Sequence, residues 1–338
     1  MPDDAPAPAA LSAALAGVRR VRAVVNAASG GVNPGAARQL EALLAERGLE
    51  AQVADSRPGE IEPALREAID ARPDLLIVLA GDGTARLACQ MAGPDGPVVA
   101  PLPGGTMNML PFALFGRRPW PDALAEALDR GEVKPVSAGE VDGELFFCAA
   151  IVGAPALWQP AREAVRKGRL RQAWRAARVA LGRAFSRRIR YRLDGGTEQK
   201  AEALSVMCPL VSRVMSTDEA LDVAALNPRG AADALRLGAR TLLTDVLGDW
   251  RRDSAVDASP AREVRLHARR RRIPAVLDGE ARPLPRDSMV RHRPAAFRAL
   301  HLPEVDAASA AAPERQAQEG GAAVGPDAAA APSREAGG

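Results

Sequence analysis

The sequence predicts an α/β domain joined to a β domain: an N-terminal doubly wound parallel sheet and a C-terminal antiparallel β-sandwich. Three observations carry this. Between about residues 20 and 135, short apolar runs alternate with helical patterns at the pace of a parallel sheet covered on both faces. After Pro135 the chain turns to strand-length segments joined by turn residues such as Asp142-Gly143 and Asp194-Gly195-Gly196. Two glycine-threonine turns, Gly81-Asp82-Gly83-Thr84 and Pro103-Gly104-Gly105-Thr106-Met107-Asn108, each follow an apolar run without polar alternation, as at the end of a buried parallel strand.

Taken in order, residues 1–18 form a flexible leader with a short helix near Leu11 to Ala16. Residues 19–135 form the α/β domain. Its strands fall near 21–25, 50–54, 74–80 and 97–102, and its helices near 34–47, 59–71, 84–92, 106–116 and 121–130. Residues 136–304 form the sandwich, with strands near 136–141, 145–152, 187–194, 198–208, 220–226, 262–268, 273–278 and 295–302. Helices are inserted at about 155–184 and 230–248. Residues 305–338 are rich in Ala, Gly, Pro and Glu without apolar periodicity; such a segment cannot bury enough surface to offset its ordering entropy, so a disordered tail is expected.

The glycine turns point to phosphate. Glycines at a strand's carboxyl end let backbone N–H groups approach an anion without an intervening Cβ. The helix that follows presents its N-terminus to the same anion. Gly81, Asp82, Gly83, Thr84, Gly104, Gly105, Thr106 and Asn108 are therefore candidate nucleotide-binding residues. A third turn after the first strand adds Asn26, Ser29 and Gly30. Asp82 places a carboxylate where Mg²⁺ would bridge it to phosphate. There is no G-x-x-x-x-G-K-[ST] and no G-x-G-x-x-G after the first strand, which argues against a P-loop NTPase or a dinucleotide-dependent dehydrogenase.

Composition narrows the partners. The 338 residues suffice for two domains, and 47% hydrophobic content supports full cores. Net charge is only +3, but Arg162 to Arg192 holds twelve Arg or Lys against one acid, Glu163, and Arg269-Arg270-Arg271-Arg272 stand in a row. Local basic surface of this kind suits an anionic membrane, a nucleic acid or a polyphosphate. The segment 155–188 adds Trp158, Trp174 and Leu181 among those cations, the pattern of an interfacial helix. No nucleic-acid motif or aromatic interleaving accompanies the charge, so nucleic acid is not an expected partner. Cys89, Cys148 and Cys208 lack metal or redox spacing and read as buried small hydrophobes of a reducing compartment. No signal peptide and no membrane-spanning run is expected.

Together, Gly81-Asp82-Gly83-Thr84, the Pro-x-Gly-Gly-Thr-x-Asn turn, the leading Asn-x-x-Ser-Gly and a late Asp278-Gly279-Glu280 resemble the diacylglycerol kinase catalytic family, which includes bacterial lipid kinases, sphingosine kinases and ceramide kinases. The resemblance runs over about residues 20–303. Ala80, Ala27 and Met109 stand where the family commonly has Gly, Pro and Asp. The resemblance implies an ATP- and Mg²⁺-dependent kinase acting on a lipid alcohol, diacylglycerol-like or ceramide/sphingoid-like. Glu280 would then be the general base, Asp82 would act in the metal-phosphate clamp, and Asp218 would hold a structural Mg²⁺. Asp142-Gly143-Glu144 repeats the late motif's three letters but reads as a hairpin turn. The implied location is cytoplasmic, peripheral to the inner face of the membrane, and a homodimer is left open. Two rivals stand beside this reading: a soluble metabolite kinase of NAD-kinase-like architecture, and a non-catalytic membrane-associated regulator.

Overall fold

The computed structural model describes residues 11–57, 59–153, 156, 189–212, 219–226, 256–303 and 305. Its first part is a parallel sheet. β1 (Val21–Asn26), β2 (Ala51–Ser56), β3 (Leu75–Ala80) and β4 (Val98–Pro103) lie in the order β2-β1-β3-β4, each pair parallel. Every residue of β3 and β4 is buried. That burial on both faces is why these runs show no polar alternation. Helices α1 (Ala36–Ala45), α2 (Ile61–Asp70), α3 (Asp82–Ala92), α4 (Met109–Phe115) and α5 (Trp120–Arg130) cover the sheet. The helix expected from residue 106 begins only at Met109, because Asn108 sits in left-handed backbone at φ 50° and cannot continue a right-handed turn. A single turn of 3-10 helix, Ala13–Leu15, stands in for the expected leader helix and buries Leu15 completely.

The remaining strands are β5 (Glu132–Val141), β6 (Glu144–Phe146), β7 (Ala149–Gly153), β8 (Ile189–Leu193), β9 (Gln199–Ala201), β10 (Ala203–Met207), β11 (Leu221–Leu226), β12 (Val256–Ala261), β13 (Glu263–Ile273), β14 (Ala275–Leu277), β15 (Glu280–Ala281) and β16 (Leu284–His301). Six of them form one sheet, β12-β11-β10-β7-β14-β15, antiparallel throughout. The others extend the first sheet. The 18-residue β16 makes the extension: one edge carries β13 and then, at Arg298 and Ala299, β4 in parallel. Its other edge carries β5 from Val290 to His301. The segment 295–302, read as a strand, is thus the end of a longer strand that closes the parallel sheet.

Two cores result. One lies between the parallel sheet and its helices and takes in Phe297, Leu300 and Leu302 from the chain's end. The other joins Val141, Tyr191, Val264, Leu266 and Val290 of the extended sheet to Val152, Leu204, Val206, Val223 and Leu277 of the six-stranded sheet. Burying two sheet faces against each other makes this half a sandwich.

The strand expected over 145–152 is split into β6 and β7. The gap falls at Phe147–Cys148, whose backbone N–H groups point to the Asp278 carboxylate instead of a neighbouring strand. The inserted helices expected at 155–184 and 230–248, and Asp218, lie outside the described residues. So do residues 1–10 and the tail beyond residue 305.

Candidate active site

Three turns gather at the carboxyl ends of β1, β3 and β4, where open α/β sheets place their ligands. Turn chemistry shapes each one. Asn26 Oδ1 accepts from the Ala28 N–H at 3.1 Å, an Asx turn that starts Asn26–Gly31. Asn108 folds the third turn onto itself: its Oδ1 accepts from Gly105 N–H at 2.7 Å and its Nδ2 donates to Gly105 O at 3.1 Å.

The turns are also tied to one another. The Gly81 N–H donates to Ser29 Oγ at 3.2 Å, and the Gly31 N–H to Gly104 O at 3.0 Å. A side-chain carbon at Gly105 would stand 2.6 Å from the Gly81 Cα, and one at Gly104 would stand 2.8 Å from the Ala80 nitrogen. Glycine is required there for backbone-to-backbone approach, while Gly30 faces open space. Thr106 is exposed and Thr84 half-buried at the same mouth.

Asp82 links the second and third turns. Its Oδ2 accepts from the Asn108 N–H at 2.8 Å and its Oδ1 from the Met109 N–H at 2.6 Å. The carboxylate thereby caps α4, whose own Asn108 gives no side-chain cap. Burial raises the Asp82 pKa, and these backbone donors work against that rise.

The late Asp-Gly-Glu arrives on the same mouth. Asp278, at φ 45°, is buried and accepts from three backbone N–H groups: Phe147 at 2.7 Å, Cys148 at 2.9 Å and Ala149 at 2.9 Å. Desolvation pushes its pKa up to about 6 despite these donors. It anchors the turn to the β6–β7 gap. Gly279, at φ 86°, holds left-handed backbone that favours glycine, and a side-chain carbon there would press on Met107 Sδ of the third turn at 3.3 Å. Glu280 then reaches the second turn, where a methyl group on Gly83 would overlap its Oε1 and come 3.3 Å from its Cδ. The structure so brings together the glycine turns, Asp82 and Glu280.

Sequence reasoning missed the cations beside Glu280. Arg86 Nη2 of α3 donates to Glu280 Oε2 at 3.5 Å, and Arg282 Nη2 donates to the same oxygen at 3.1 Å. The repeat motif also enters. Asp142 and Gly143 make the expected left-handed hairpin turn, with φ 52° and 82°. Glu144 points back into the cluster, accepting from Arg282 Nε at 3.1 Å and pairing with Arg86 Nη1 at 3.9 Å. Arg86 side-chain exposure is only 11%. Its position one turn beyond Asp82 on a helix face was the available signal, but a lone arginine there reads as a solvated charge.

Among the described residues no group of three or more His, Cys, Asp or Glu side chains converges as a metal cage. A groove of about 630 Å³ opens on the outer face of β5, β8, β13 and β16, bordered by Arg190, Arg192, Arg265, Arg291 and the Asp142-Gly143 turn. The cysteines are buried as expected, and burial raises all three thiol pKa values.

Residues 20–141 match the family model of the diacylglycerol kinase catalytic domain. Comparison with curated proteins gives no match. Among solved structures, a diacylglycerol kinase from Bacillus anthracis str. Sterne aligns with a TM-score of 0.60 at 18% identity, over 86% of this chain and 99% of that one. Two further structures from the same strain align at 0.61 with the same identity and coverage. At that identity the likeness shows the fold: a parallel-sheet domain with helices and an antiparallel-sheet domain.

Proposed function

We propose, from the match of residues 20–141 to the diacylglycerol kinase catalytic domain model, that the chain transfers the γ-phosphate of ATP to the hydroxyl of a lipid alcohol. The observation that carries the reading is the meeting of Glu280 with Gly83, because it sets a carboxylate beside the turn where a phosphate would bind. In this reading the N–H groups of the glycine turns and the start of α3 hold the phosphates. The acceptor oxygen forms the new P–O bond as its proton passes to Glu280, and ADP leaves. Mg²⁺, when bound, neutralises charge on the phosphates. Such an ion takes most of its oxygens from phosphate and water, so the Asp82 carboxylate at the mouth fits it without a protein cage.

The acceptor is read as diacylglycerol-like first and ceramide- or sphingoid-like second. A lipid acceptor implies work at an anionic membrane surface, on the cytoplasmic face. Arg269, Arg270 and Arg271 support this. They are exposed on a bulge where the β13–β16 register skips from His267 to Arg272, and no carboxylate among the described residues pairs with them. Neighbouring arginines 262, 265, 282, 286, 291 and 293 are all ion-paired. Among the described residues no helix is long and apolar enough to cross a membrane.

Labelled ATP with a panel of lipid alcohols tests the reading. A phosphorylated lipid is the expected product. Phosphorylation of NAD without any lipid product would favour the metabolite-kinase alternative, and absence of turnover in lipid micelles would favour a regulator.

A further inference from the structure

Helix α3 starts at the phosphate mouth with Asp82 and, farther along, grips the β5–β6 hairpin. Arg86 and Gln90 stand at i and i+4 and so share one helix face. Gln90 holds the hairpin backbone: its Nε2 donates to Gly143 O at 3.4 Å and its Oε1 accepts from the Leu145 N–H at 3.3 Å. Arg86 Nη1 donates to Leu145 O at 3.4 Å. Its guanidinium also spans two carboxylates, with Glu144 Oε2 3.9 Å from Nη1 and Glu280 Oε2 3.5 Å from Nη2. Arg282 reaches the same two oxygens. The four side chains close a ring in which cations and anions alternate.

The two cations are not equivalent. Arg282 is 44% exposed, and an ion pair so wetted constrains its partner weakly. Arg86 is 11% exposed, where water and salt screen the pair far less. Arg282 also lies on Glu280's own segment, just after β15, so it cannot set that segment's place against the glycine turns. Arg86 can, because α3 continues directly from the Gly81–Thr84 turn. Among the described residues it is the one hydrogen-bond donor to Glu280 from outside that segment.

We propose that Arg86 is the positioning residue of the base: its fork holds Glu144 and Glu280 together and sets the Glu280 carboxylate in a fixed place beside the phosphate turn from which α3 begins. The inference rests on the lipid-kinase reading and deepens it. The guanidinium meets oxygens of the hairpin and of the two glutamates, so its task is to hold the base. Lysine, a point charge without the planar fork, cannot serve Leu145 O and both carboxylates at once.

Arg86→Lys and Arg86→Ala, each alone and in the Glu280→Gln background, test this with labelled ATP and micelles of dioctanoylglycerol, N-octanoylsphingosine or sphingosine. Expected for Arg86→Ala is a kcat at least ~30-fold lower with KM for ATP changed by less than about fivefold, the signature of a displaced reacting group. Arg86→Lys keeps the charge and is expected to lose about tenfold in kcat with a thermal midpoint near wild type. Millimolar methylguanidinium is expected to raise the kcat of Arg86→Ala at least about fivefold, because it returns the missing fork. In the Glu280→Gln background either change lowers kcat by less than about threefold more, since the base it positions is gone. A rise in KM for ATP that matches the fall in kcat would overturn the proposal and make Arg86 a phosphate ligand. So would a full additive loss in the double variants, no response to methylguanidinium, or wild-type kcat in Arg86→Lys. Should Arg86→Ala fail to fold, Arg86→Lys alone and with Glu280→Gln decides the question. A wild type that phosphorylates none of these lipids would remove the kinase reading and the inference with it, whereas active variants beside an active wild type would overturn the inference alone.

Discussion

Glu144 and Glu280, the ends of two Asp-Gly-Glu turns far apart in the chain, accept from one guanidinium, that of Arg282, each at 3.1 Å. The hairpin turn that sequence alone sets aside is therefore part of the same cluster. Their weights differ, however. Glu144, Arg282 and Glu280 have side chains 45, 44 and 38% exposed, and ion pairs so wetted are worth about 1 kcal/mol or less. Glu144→Gln and Arg282→Gln are each expected to lower kcat by no more than about fivefold, with KM for ATP unchanged. Glu280→Gln, which keeps shape but cannot take the proton, is expected to cost at least ~100-fold. A Glu144→Gln variant as inactive as Glu280→Gln would reassign the base.

Asp82 has two tasks. Its carboxylate belongs to the phosphate mouth, and it also supplies the acceptors for the Asn108 and Met109 N–H groups at the start of α4. Asparagine keeps one acceptor oxygen and turns an NH₂ group toward the second donor. Asp82→Asn is thus expected to lose about 1–2 kcal/mol of stability together with at least ~100-fold in kcat. Urea midpoints and kcat measured on the same preparation check both. Full stability would show the capping bonds to be dispensable, and near-normal turnover would leave Asp82 a turn residue only.

The glycine turns were legible in the sequence because their chemistry is local. Gly81, Gly104, Gly105 and Asn108 follow buried strands, and strand, turn and helix start lie within a few residues. The approach of Glu280 was legible only through its resemblance to a family motif. Arg86 and Arg282 were not legible, because an arginine's partner is set by tertiary placement: Arg86 stands one turn from Asp82 yet reaches Glu280 and Glu144, 194 and 58 residues away. Nor was β16: only its end, 295–302, reads as a strand, and nothing local shows that the strand starts at Leu284 or changes neighbours from β13 to β4 along its length. Asp278 entered only as the first letter of the late Asp-Gly-Glu motif. Its service as acceptor for three N–H groups of Phe147–Ala149 depends on a gap between strands that has no local signature.

Asp278 also makes stability pH-dependent. Burial raises its pKa from the ordinary 3.8 to about 6 in the folded protein. The native state then holds this proton more tightly than the unfolded chain. Stability from this group is full below 3.8 and is lost as pH rises through about 6. The gap corresponds to roughly 3 kcal/mol at most. Urea midpoints of wild type and Asp278→Asn, taken between pH 4.5 and 7.5, test this. Wild type is expected to lose ground to the variant as pH rises, and a constant difference would mean that Asp278 does not titrate in this range.

The arginine bulge gives the last prediction. Arg269, Arg270 and Arg271 are exposed cations without a carboxylate partner among the described residues, on the strand that leads toward the Glu280 turn. Arg272 Nη1 donates to Pro283 O at 3.3 Å, which ties the bulge to the segment just beyond Arg282. A cation near an anionic leaflet contributes about 1 kcal/mol, so three together change vesicle affinity by roughly 100-fold. Replacing all three with glutamine is expected to release the protein from phosphatidylserine vesicles while leaving activity on a short-chain, water-soluble acceptor unchanged. Wild-type binding should weaken as salt shortens the screening length from ~10 Å at 0.1 M toward ~3 Å at 1 M. Equal binding to neutral vesicles, or equal binding by the triple variant, would show that the bulge is not the membrane contact. Retention on duplex DNA in place of vesicles would assign the same charge to a nucleic acid.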